Sequence, residues 1–180
     1  MKSSFSTRDQ PRSFRWYHAA GIFLAANAIS IAPAGIGGSD VFYNSFRQPA
    51  VAPPDWVFAP PWLVLNVTSL IALYLVANGN PAEGGNRTRF YRSEAVFWVA
   101  FATFNTLYFG FKSPALGAAN TLLGLAATAV STWEARRLDR RALALLAPRL
   151  AWLSLAGYVS THIALHNRDV FLGWGPAVGE

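Results

Sequence analysis

Five stretches of this chain carry no Asp, Glu, Lys or Arg: residues 16–39, 56–82, 95–111, 113–133 and 150–167. Apolar residues occur all round a 3.6-residue turn in them, without the polar face that a helix on a water-soluble domain keeps toward solvent. About 20 residues at 1.5 Å each span the ~30 Å hydrocarbon core of a bilayer. The pattern predicts an all-α membrane protein: a five-transmembrane-helix bundle over residues 16–167. A basic N-terminal tail (1–15) precedes it, and a short C-terminal tail (168–180), without clear structure, follows.

Turn chemistry places the boundaries. The first span runs from Trp16 to Pro33, with Gly21, Ala25, Ala28 and Ala32 at a spacing that permits close helix contact. Its 18 apolar residues exceed a signal-peptide core, so the "IAPA" that follows is not read as a cleavage site. A long proline-rich loop, from Ala34 to Asp55, joins it to the second span, which begins near Trp56. Pro60 and Pro61 fit a first helical turn, whose N–H groups have no intrahelical partner. The second span ends near "NGNPAEGG"; the third covers Ala95–Phe111. The two-residue link "KS" and Pro114 lead into a fourth span that ends near Trp133, making an antiparallel pair. Pro148 is expected to open the fifth, which reaches Asn167.

Charge adds an orientation. The formal net charge is +6, which in a soluble protein would point to nucleic acid. Here twelve of the fifteen basic residues, Arg149 among them, fall on the side of the N-terminus and only Arg47, Lys112 and Arg168 on the other. That split follows the positive-inside rule and puts the N-terminus on the cytoplasmic side. It accounts for "EARRLDRR" without a nucleic-acid partner. With no cysteine in the chain, disulfides and thiolate metal sites are excluded.

Little acid–base chemistry is visible. Asn66 and Asn105 either bridge helices, at ~1 kcal/mol, or line a pocket. On the fifth helix Trp152, Ala156, Val159, Ser160 and Ile163 share a face, while Tyr158, His162 and His166 recur every fourth residue on the next. Two histidines at that spacing can hold a metal or haem iron. No carboxylate or thiolate in any span completes such a site, so His162 reads as a pocket or packing residue and His166 as interfacial. No metal ligand and no catalytic residue is assigned. The same absence argues against an ion-coupled pump and leaves acid–base catalysis to His, Tyr or loop groups.

The stretch "APPDWVFAPPW", residues 52–62, is the most distinctive. Its prolines pre-order an extended lid. Trp56 and Trp62, six apart, are separated by roughly 240° around a helix and cannot share a face. Trp56 suits the membrane interface, whereas Trp62 falls deeper.

Two motifs together are similar to the TspO/MBR family, the tryptophan-rich sensory proteins and mitochondrial translocator proteins. They are "FRQPAVAPPDWVFAPPWLVL" and "RRALALLAPRLAWLSLAGYVSTHIALHN"; "FNTLYFGF" is a weaker third. The chain departs from the family pattern at Val51, Pro61, Asn66, Tyr108 and Arg149. The resemblance implies a pocket lined by Trp62 and Trp152 beneath the loop. It implies a planar hydrophobic ligand, a tetrapyrrole such as protoporphyrin IX or haem, bound for sensing, scavenging or trafficking. Another hydrophobic molecule, a sterol included, is the alternative ligand. The Leu/Val–Tyr–Lys/Arg sterol pattern, though, fails after Tyr158, because the next basic residue is Arg168. The ligand-binding candidates are Tyr43, Pro53, Trp62, Asn66, Asn105, Tyr108, Trp152, Ala156, Ser160 and His162. No cofactor is required, and the expected partners are a bilayer, bacterial rather than organellar, and a second copy in a homodimer. Rival readings are a light- or oxygen-dependent porphyrin-degrading enzyme with Trp62 and Trp152 as redox partners, and an assembly subunit of a larger membrane complex.

Overall fold

Helices form where the charge-free stretches lie, but several outrun them. A computed structural model describes residues 14–34, 39–79 and 86–176; the N-terminal tail through residue 13, "GIGG" and "NPAEGG" lie outside the described residues. The helices are α1 (Trp16–Ala34), α2 (Ser39–Asn44), α3 (Ala59–Asn78), α4 (Arg87–Asn105), α5 (Pro114–Leu138) and α6 (Arg140–His166). A 3₁₀ turn, Asp55–Val57, precedes α3, and a π-helical turn, Thr106–Gly110, extends α4. Asp55–Asn78, Pro114–Leu138 and Arg140–His166 are each long and apolar enough to cross a membrane.

The longer helices close a ring. α6 packs on α5 and α3, α5 on α4, α4 on α1, and α1 returns to α3. Short polar side chains start three of them by accepting first-turn N–H groups, as N-caps do. Asn86 Oδ1 accepts from Arg89 N at 2.9 Å, Ser113 Oγ from Leu116 N at 3.1 Å, and Asp139 Oδ1 from Arg141 N at 2.8 Å. Asp139 is the single residue between α5 and α6. α6 therefore starts eight residues before Pro148, and the expectation that Pro148 opens it is corrected: Pro148 lies inside the helix. An interior proline lacks its N–H and leaves one carbonyl without its usual donor.

Three other expectations change. The small-residue stripe of α1 does not make its helix contacts: Gly21, Ala25 and Ala28 face outward, and Ala26 and Ser30 are the buried positions. The residues after α6 are not structureless, because the buried Asp169 ties them down. Its Oδ2 accepts from Ser113 Oγ at 2.6 Å and Ala115 N at 3.0 Å, and its Oδ1 from Leu172 N at 2.9 Å. Desolvation alone would raise the Asp169 carboxyl, but these bonds hold it below the usual carboxylate range. Phe171 stacks on Phe111 at 4.9 Å.

The third change concerns charge inside the bundle. Glu94 lies within α4 and Arg149 within α6, and both are almost completely buried. Counting Arg149 as a loop charge, and the spans as free of carboxylates, is thus corrected. The charge-free run begins one residue after Glu94, while α4 begins seven before it. Arg149 Nη1 donates to Glu94 Oε2 at 3.0 Å, and Nη2 donates to Glu94 Oε1 and, at 3.1 Å, to Ser131 Oγ of α5. The guanidinium carbon sits 3.7 Å from the centre of the Phe97 ring. Removing one member of such a pair strands a buried charge and costs about 3–5 kcal/mol, whereas an apolar pair of similar volume is far better tolerated. Arg149→Ala should therefore sharply lower the thermal midpoint in detergent, and Glu94→Leu combined with Arg149→Met should recover most of it. An unchanged midpoint in Arg149→Ala would show that the pair is not structural.

Candidate functional site

The proline-rich segment is held from below and from the side. Tyr43, on α2, donates its hydroxyl to the Pro53 carbonyl at 3.0 Å, and Gln48 Nε2 donates to the Tyr43 carbonyl at 2.8 Å. Asn44 Nδ2 reaches Asp55 Oδ2 at 3.1 Å. At the other end of the segment Asn167, just after α6, accepts from Arg47 N at 2.7 Å and donates to Arg47 O at 3.1 Å. With the prolines restricting φ, these bonds hold a strap, turned at Pro49–Ala52, over one end of the bundle. Burial, and then the Asp55 carboxylate, raise the Tyr43 phenol above its ordinary value.

Aromatic rings fill the space under the strap. Phe58 lies edge-on to Tyr43 at 5.3 Å and to Trp152 at 5.6 Å. Phe42 meets Tyr108 at 5.3 Å, and Tyr108 stacks on Phe104 at 5.4 Å. Val159 and Ile163 of α6 back this cluster, and Ala52 of the strap packs on it. Tyr108 comes this close to α5 only because residue 117 is glycine: a Cβ there would lie 2.4 Å from the Tyr108 ring. Phe58 and Phe42 were not among the sequence candidates; the aromatic at the entrance to "APPW" was the available signal for Phe58.

The ten candidates divide by what they touch. Tyr43, Pro53, Tyr108 and Trp152 lie in or beside the aromatic cluster. Trp62 packs instead on Phe101 of α4, 5.3 Å away and against the main core, and no ring contact joins it to Trp152. Asn105 donates to the Ser30 carbonyl at 2.8 Å and to Ser30 Oγ at 3.1 Å, which makes it an α1–α4 bridge. Ser160 donates within its own helix, to Gly157 O at 3.3 Å, and Ala156 is half-buried. His162 stacks on His166 at 4.0 Å with ring planes 17° apart. In-plane nitrogen lone pairs of stacked rings do not converge on one ion. Among the described residues no group of three or more His, Cys, Asp or Glu gathers as a metal site.

Four candidates carry something further. Both side-chain polar atoms of Asn66, the Tyr108 hydroxyl, Trp152 Nε1 and His162 Nδ1 are buried and without a hydrogen-bond partner. Buried polar atoms in folded proteins are nearly always paired, and exceptions concentrate where a bound water, an ion or a functional role accounts for them. Asn66 lies eight residues beyond Phe58 on α3, roughly 12 Å deeper at 1.5 Å per residue.

The Tyr43–Pro53 bond is accessible to test. A neutral hydrogen bond of this kind contributes about 1 kcal/mol, which is about a fivefold change in an opening equilibrium. Tyr43→Phe should therefore speed amide hydrogen exchange at Ala52, whose N–H donates to the Pro49 carbonyl at 2.9 Å, about fivefold and leave the interior of α5 unchanged. Equal rates would show that the prolines alone order the strap.

The TspO/MBR family profile matches residues 19–166. A "Translocator protein homolog" from Schizosaccharomyces pombe is 30% identical over 131 residues, covering 69% of this chain and 77% of its own length. A "Tryptophan-rich protein TspO" from Chlorobaculum tepidum is 26% identical over 129 residues, 70% of this chain and 79% of its own. One of the same name from Archaeoglobus fulgidus is 24% identical over 152 residues, 80% and 96%. With a profile that spans all of the long helices, a strap entering α3 and three helices fit to cross a bilayer, the chain belongs to the TspO/MBR family of membrane proteins.

Proposed function

We propose that this protein crosses the membrane five times and binds a planar hydrophobic ligand, a tetrapyrrole such as protoporphyrin IX or haem, under the proline-rich strap. Its role is sensing, scavenging or trafficking of that ligand. The observation that supports this reading is the coincidence of two features in one region. Aromatic rings from α2, from Phe58 just before α3, from the end of α4, the π turn and α6 gather beneath the strap. Beside them, buried polar atoms of Tyr108, Trp152 and His162 lack partners. An apolar site with a few polar groups for orientation is the usual make-up of a small-molecule pocket. Trp Nε1 and the Tyr hydroxyl are donors suited to the carboxylates at a porphyrin's edge, and the rings suit its faces.

Phe58 occupies the space against Trp152, so a flat ligand enters by displacing that ring and parting the strap from Tyr43. Titration with protoporphyrin IX in detergent should quench tryptophan fluorescence. Trp152→Phe should weaken both quenching and affinity, whereas Trp56→Phe, at a position 72% exposed, should do neither. Equal behaviour of the two variants would overturn the placement of the site.

The five-span reading draws on α1, α3, α4, α5 and α6, and on their outward side chains. Leu24, Ile31, Leu63, Val99, Leu123 and Leu165 are all well exposed, as lipid-facing residues are. The arginine split orients the N-terminus to the cytoplasm. Cysteines placed at Ser4 and Ala50 in this cysteine-free chain should label from opposite sides of the membrane. Labelling from one side would refute the odd number of spans between them.

A further inference from the structure

A groove runs down the outside of the bundle between α4 and α5, away from the strap, with a cavity of about 300 Å³. Arg89, Arg92 and Val96 form one wall, and Leu123, Ala126 and Val130 the other. Both sets step by three and then four residues, so each is a single helix face. The two helices are antiparallel, which brings the arginines of α4 to the end of the groove nearest Val130. Ala126, between larger neighbours, makes the slot. Val96 and Leu123 are 40% and 51% exposed.

The charges at the mouth are unequal. Arg89 Nη1 lies 3.6 Å from Glu134, whose carboxylate also accepts from Asn86 N at 3.0 Å. Arg92 is exposed and has no carboxylate partner among the described residues. The groove is thus an apolar channel with one uncompensated cation at its end. Seven residues of helix give it a length of roughly 10 Å, about two-thirds of the hydrocarbon depth of one leaflet.

We propose that this groove holds one anionic phospholipid, an acyl chain lying along Val96, Leu123, Ala126 and Val130 and the phosphate-bearing headgroup at Arg92. Basic pockets between spans near one membrane surface suit anionic headgroups on the same grounds. Charge complementarity selects the lipid over a second copy of the chain. A two-fold axis along the membrane normal, run through this face, would set Arg92 at the same depth as Arg92 of the other copy, like charge against like. The site is separate from the strap, so tetrapyrrole binding does not bear on it.

Native mass spectrometry in detergent, with equal amounts of phosphatidylglycerol and phosphatidylcholine of the same chains, tests the assignment. The protein should retain one phosphatidylglycerol per chain with about fivefold preference. Arg92→Gln should abolish the preference but keep a weak adduct of either lipid. Ala126→Leu, which fills the slot, should reduce both adducts. Arg136→Gln, at the same end but over Trp133 at 4.1 Å, should leave the preference intact. Equal retention of the two lipids, or an equal loss from Arg136→Gln and Arg92→Gln, would overturn the proposal. A changed monomer–dimer balance in Ala126→Leu with unchanged lipid adducts would give the groove to a second copy and overturn it too.

Discussion

The ion pair between Glu94 and Arg149 constrains everything around it. A single charge at that depth costs several kcal/mol, so neither residue is tolerable without the other. The pair, with Ser131 as a third partner, therefore sets the relative height of α4, α5 and α6. Sliding any of the three by one helical turn, 5.4 Å, would separate donors from acceptors. Dispersion between apolar faces tolerates such slips far better, because leucine on alanine is much the same one turn along. The bundle's register thus rests on polar geometry and its bulk on apolar packing.

The two ends of the ring differ in kind. At the arginine-rich end, α4, α5 and α6 are joined by a charge pair, by the capping side chain of Asp139 and by Glu134, which holds the start of α4. At the strap end the contacts are aromatic rings, the Tyr43–Pro53 bond and the clasps made by Asn167 and Asp169.

Much of this was legible in the sequence. Long runs without charge located the five long helices but not α2, which lies in the segment read as a loop, and Asn86, Ser113 and Asp139 stand where caps belong. The prolines mark the segment before α3, but the side-chain bonds that hold it, from Tyr43, Asn44 and Asn167, carry no such mark. What was not legible depends on pairing across space. Glu94 and Arg149 are 55 positions apart, and each alone looks like a residue that ends a hydrophobic run. Treating charge as a boundary cut α4 short and moved the start of α6 to Pro148. Pairwise geometry likewise separates the candidates: Asn105 bridges α1 and α4, and Trp62 faces Phe101, not Trp152. The unpartnered atoms of Asn66, Tyr108, Trp152 and His162 have no sequence signal, since an unmet hydrogen bond is a property of surroundings.

The clasps made by Asn167 and Asp169 bear on the order in which the molecule completes itself. Arg47 waits for a partner 120 positions downstream, and the start of α5 waits for one 54 to 56 positions downstream. During synthesis the α4–α5 hairpin can form from neighbouring sequence, yet its turn stays unlatched until α6 has been made and threaded into place. The strap is in the same position. Both features at this end are therefore finished late, by one short segment, and a chain interrupted before it would present a nearly complete bundle with its strap end undone.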